Sequence, residues 1–129
     1  MAIVSKIMNP SALVLMLDLI FNASGSTQKY EVYTTIDSPQ IKRGESVAGD
    51  YFDSASTITG GASVVLADSV TITVSANSTR TGAVTEIRLV SDGTYSANLY
   101  WVTISPEEFL YEGSITVTTS TVSISSTMA

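Results

Sequence analysis

From Ala62 onward the chain reads as almost all strand, and no other feature of the chain constrains its fold as tightly. Val70, Ile72 and Val74 alternate with Thr71, Thr73 and Ser75, which gives an extended strand one apolar and one polar face. A strand of that kind needs a second layer to cover its apolar side. Ser63 to Leu66 reads as a further strand. The span Gly82 to Trp101 reads as a β-hairpin: Val84 to Val90 and Asn98 to Ile104 flank Asp92-Gly93, a pair that tolerates the positive φ of a tight turn. Adjacent Tyr100 and Trp101 must point to opposite faces, and Trp101 is expected inside with Tyr100 outside. Near the end, Ile115 and Val117 occupy odd positions whereas Val122 and Ile124 occupy even ones. A flat strand cannot change face in this way, so a turn or bulge is expected near Thr119-Ser120.

The N-terminal part has a different period. Asn9 can cap free backbone N–H groups, and Pro10 suits the first helical position. A helix is expected over residues 10–22, with Leu13, Met16, Leu17, Ile20 and Phe21 on its buried face and Ala23-Ser24-Gly25-Ser26 as its stop. Val14, Leu15 and Leu19 add apolar residues off that face, so the helix is expected to be buried on most sides, either inside its own domain or partly against another subunit. Asp18 interrupts the run and only Lys6 lies upstream as a cation. The segment therefore reads as a folded helix, not a leader, and it is too short to cross a bilayer. Tyr30 to Ile36 reads as the first strand, ended by Asp37-Ser38-Pro39. Gln40 to Gly61 is weakly patterned and reads as an exposed loop with one short strand near Tyr51-Phe52.

These elements predict one mainly β domain over residues 1–129: an arm over 1–9, the helix, and about seven strands within 30–125. The expected architecture is a β-sandwich or jelly-roll-like barrel, with the helix covering one opening or edge. A chain of 129 residues is long enough for one core.

Composition narrows the chemistry. The chain has no histidine and no cysteine, so the commonest general base and the thiolate metal sites are unavailable. Twelve acidic against six basic residues give a net charge of −6, which disfavours a phosphate backbone as partner. Asp50 and Asp53 with Asp37 or Asp68, and separately Glu107, Glu108 and Glu112, form acidic groups without the spacing of a calcium loop. They read as solvated carboxylates. Tyr95, Tyr100 and Trp101 could stack on sugars or anchor an interface, though core and scattered surface positions are the simpler reading. No catalytic, metal or cofactor residues are assigned, and neither nucleic acid nor membrane is expected as a partner.

Four segments resemble a family of small tailed-phage virion proteins, of the head-decoration and tail-fibre-like kind. They are LMLDLIF at Leu15–Phe21 with YEVYTTIDSP at Tyr30–Pro39, GAVTEIRLVSDG at Gly82–Gly93, NLYWVTIS at Asn98–Ser105, and YEGSITVTTSTVSIS at Tyr111–Ser125. Gln40 to Gly61 does not match. The resemblance implies a non-enzymatic, multi-copy virion component, foremost a capsid decoration or cement protein bound to the major capsid protein as a homotrimer. A tail fibre, baseplate or adaptor subunit is the alternative, and a carbohydrate-binding module is a second. The expected contact surface comprises Ile3, Val4, Ile7 and Met8 of the arm, Lys42, Arg43, Tyr51 and Phe52 of the middle segment, and Tyr100.

Overall fold

The computed structural model describes residues 7–22, 27–34, 40–75, 83–91, 97–109 and 111–127. The helix α1 runs from Pro10 to Phe21, close to the expected bounds. Asn9 Oδ1 accepts a hydrogen bond from the Ser11 N–H at 2.9 Å, and the Asn22 N–H closes the last turn on the Asp18 carbonyl at 2.8 Å. Its buried face is narrower than expected. Leu13, Leu17 and Phe21 are buried, whereas Met16 and Ile20 join Leu15 and Leu19 on the exposed side. A helix that packs on one layer buries only the i, i+4, i+8 row that meets that layer. The remaining apolar residues are therefore left outside.

Nine strands follow among the described residues. A curled six-stranded antiparallel sheet has the order β7 (Ala97–Glu107), β6 (Val84–Ser91), β1 (Gln28–Tyr33), β2 (Lys42–Glu45), β5 (Val70–Val74), β8 (Gly113–Val117). A three-stranded sheet pairs β3 (Ser56–Ile58), β4 (Gly61–Val65) and β9 (Thr121–Ser125). The architecture is mainly β, consistent with a sandwich or barrel-like fold carrying an N-terminal helix. Leu13, Leu17 and Phe21 share one core with Tyr30, Val32, Phe52, Val64, Ile72, Val84 and Leu89. Phe21 meets Phe52 with ring centroids 4.8 Å apart.

The hairpin forms as β6 and β7, with Arg88 opposite Trp101 and Leu89 opposite Tyr100. Its Asp92-Gly93 turn lies outside the described residues. The face change near Thr119-Ser120 is a change of sheet. Ile115 and Val117 pair with β5 in the larger sheet, while Val122 and Ile124 pair with β4 in the smaller one.

Two further expectations are corrected. The segment read as a loop over Gln40 to Gly61 holds β2, an interior strand, and β3. The sequence KRGE has no apolar alternation because Gly44 lies against β5: a Cβ there would sit 2.0 Å from the Thr73 carbonyl oxygen. Tyr51-Phe52 supplies only a single bridge, Phe52 to Leu66. Trp101 and Tyr100 have exchanged roles, since Trp101 is 62% exposed and Tyr100 is drawn inward by hydroxyl bonds to Tyr30 and Ser120.

Candidate interaction surface

The outer face of the six-stranded sheet carries a network of ion pairs. Register places Glu31 opposite both Glu45 on β2 and Arg88 on β6. Two carboxylates in register repel, and two lysines bridge them. Lys29 Nζ lies 2.9 Å from Glu45 and 3.7 Å from Glu31, and Lys42 Nζ lies 3.1 Å and 3.3 Å from the same pair. Hydrogen bonds from Lys29, then Lys42, hold the Glu45 carboxyl below its ordinary range. The bond to Glu45 in turn raises Lys42. Alongside, the Arg88 guanidinium lies 3.8 Å from the Tyr33 ring centroid and contacts Glu86 and Gln40. Burial, and then the bond to Glu31, push the Tyr33 phenol up. This face largely compensates its own charge, and its exposed pair, Lys42 with Glu45, adds only about 0–1 kcal/mol.

Beneath the sheet runs a hydroxyl chain. Tyr30 and Tyr100 share a hydrogen bond of 2.7 Å, and Tyr100 meets Ser120 at 2.6 Å. Tyr51 stacks on Tyr30 with centroids 5.9 Å apart and bonds to Ser46, whose Oγ also accepts from the Tyr30 N–H at 2.8 Å. Burial raises the phenols of both Tyr30 and Tyr51. A phenol held protonated is a strut, not a nucleophile.

The helix end is tied down by a second set of polar contacts. Asp18 Oδ1 accepts from the Ala55 N–H at 2.8 Å and from Asn22 Nδ2 at 2.9 Å, and Asn22 Nδ2 also donates to the Asp53 carbonyl. Gln28, fully buried, donates to the Phe21 carbonyl and accepts from the Tyr51 N–H. The interruption of the apolar run by Asp18 thus joins α1 to the segment before β3.

The expected contact residues divide. Ile7 is exposed and bridges Thr127, whereas Met8 packs on the core. Lys42 belongs to the ion network. Arg43 is buried, and its guanidinium donates to the Ser75 and Phe109 carbonyls. Phe52 is buried, and Tyr51 and Tyr100 lie against the core. Ile3, Val4, Tyr95 and Asp37 lie outside the described residues. Among the described residues no three His, Cys, Asp or Glu side chains converge in a way that could hold a metal ion.

What sequence reasoning placed elsewhere are two exposed apolar surfaces. On α1, Leu15 and Leu19 are each 72% exposed and stand beside the exposed Met16 and Ile20. On β7, Trp101 and the 49% exposed Val102 lie on a strand with no described neighbour on its outer side. A helix apolar all round was the available signal for the first. Comparison with family models, curated proteins and solved structures gave no match.

Proposed function

We propose that this protein is a non-enzymatic structural subunit of a tailed-phage virion: a capsid decoration or cement protein, joined to major-capsid subunits through repeated surface contacts. The observation that carries this reading is the outer side of α1. Leu15, Met16, Leu19 and Ile20 form an exposed two-turn apolar ridge on a helix whose opposite side already serves the core. Contiguous apolar surface on a soluble domain marks a place where another protein binds. The four virion-like segments and the net charge of −6, which disfavours nucleic acid, support the same reading. Many identical weak contacts on a symmetric shell add up through avidity.

The test is reconstitution with undecorated particles. Because both leucines are exposed, Leu15→Lys with Leu19→Lys should leave the circular dichroism spectrum unchanged and remove the protein from the particles. Wild-type occupancy by this folded variant would refute the role of the ridge, and failure of the wild type to bind particles would refute the decoration reading. Copy number decides position: hundreds per particle fit the shell, and a small multiple of three or six fits the tail.

A further inference from the structure

The second exposed surface, the outer edge of β7, has a specific occupant. A strand edge presents a row of backbone N–H and C=O groups that only another strand can satisfy in full. Proteins protect such edges by keeping them short or charged, or by placing a Pro or a bulge in them, and β7 has its Pro and its register shifts toward its two ends. The other described edges follow that rule: β3 has three residues, and β8 and β9 have five each. β7 has eleven, about 36 Å at a rise of about 3.3 Å per residue. It carries no charged residue from Ala97 to Pro106.

We propose that β7 pairs antiparallel with β7 of a second copy about a two-fold axis at Val102, extending the six-stranded sheet across the dimer. Val102 is the midpoint of Ala97–Glu107 and lies within Tyr100–Thr103, the stretch that pairs regularly with β6 between register shifts on either side, so a dyad there aligns this regular stretch with its copy. Trp101 then faces Thr103, Tyr100 faces Ile104, and Val102 faces its own copy. These are aromatic and β-branched pairs, the combinations that strengthen antiparallel pairing. The only charged residue, Glu107, faces Ala97. In a chain of net charge −6, copies repel at long range, and this uncharged edge lets them meet with no like charges in register. Pro106, which lacks an N–H, falls at the end of the pairing, where an edge strand tolerates it. A two-fold contact uses the same patch on both subunits. The inference does not depend on the virion reading and concerns a different surface from the α1 ridge.

Cross-linking tests it directly, because the chain has no cysteine. In the proposed dimer the two Val102 Cβ atoms are about 4.5–5.5 Å apart, close enough for a disulfide after small adjustment. Under mild oxidation Val102→Cys should form covalent dimer at least about tenfold faster than Val47→Cys, the control at an exposed position away from β7. Sedimentation of the wild type should give a concentration-dependent species of twice 13.6 kDa. A folded Val102→Lys, which sets two ammonium groups face to face, should be monomeric. Equal cross-linking rates, or a wild type that stays monomeric or trimeric at every concentration, would overturn the proposal.

Discussion

Replacing Tyr30 by Phe removes one hydroxyl from an otherwise unchanged core, and its effect should reverse sign with pH. Near neutral pH the variant loses the 2.7 Å bond to Tyr100, a net contribution of about 1 kcal/mol. Tyr100 keeps Ser120 as a partner, so no buried hydroxyl is orphaned. Burial first, then the bond to Tyr100, push the Tyr30 phenol well above its ordinary value. The stability this implies is fully present below the unfolded value of about 10. As pH rises further, the unfolded chain releases a proton that the folded chain retains, and stability falls by up to about 1.4 kcal/mol per pH unit. Solvent screening at the hydroxyl makes that slope an upper value. Tyr33 and Tyr51 are raised as well, but they are present in both chains and cancel in the difference. The wild type should lead by about 1 kcal/mol at neutral pH, draw level at about pH 11, and fall behind above it. Denaturant unfolding of both chains, in steps across that range at fixed ionic strength, measures the gap. A gap independent of pH would refute the claim that the fold holds Tyr30 protonated.

Two further substitutions test the joints of the fold. Gly44→Ala brings a Cβ to 2.0 Å from the Thr73 carbonyl oxygen, and because backbone must move the expected loss is about 3 kcal/mol, read from the denaturant midpoint. Asp18→Ala removes the acceptor for Ala55 N–H and Asn22 Nδ2; despite better helix propensity it should cost about 2 kcal/mol and speed hydrogen exchange at the Ala55 amide.

Where the chain obeys a simple period, its structure was legible. The Asn9-Pro10 start, the β5 alternation, the β6–β7 pairing and the parity change before Val122 all follow from local rules, because each depends on neighbours a few residues away. The misread places depend on distant partners. KRGE becomes a strand because β1 and β5 flank it, and Gly44 is needed only once Thr73 is in place. Alternation stated that Tyr100 and Trp101 face opposite ways but not which faces in. The choice is made by Tyr30 and Ser120, whose hydroxyls give the Tyr100 phenol a polar partner within the layer. Indole offers a single N–H donor and no acceptor, and cannot join that chain of hydroxyls. The functional surfaces were harder to read for a related reason. Leu15 and Leu17 are the same residue type two positions apart, and only the packing of α1 against β3 and β4 distinguishes contact surface from core.

The exchange between Tyr100 and Trp101 also bears on how the β7 edge can work. Binding through a flexible edge loses affinity to the ordering of that edge. Here the strand is held from the inside two residues from the proposed dyad: Tyr100 is fixed by Tyr30 from β1 and by Ser120 just before β9. The two hydroxyl contacts come from elements of both sheets, so they tie the edge of the larger sheet to the start of the smaller one. A contact made by Trp101 and Val102 is therefore offered by a strand already set in its paired geometry. In the proposed dimer the buried phenols of Tyr30 and Tyr100 hold the edge still. Loss of the Tyr30 hydroxyl should accordingly weaken self-association more than its effect on global stability alone would suggest, because it loosens one side of the strut while leaving every residue of the edge in place.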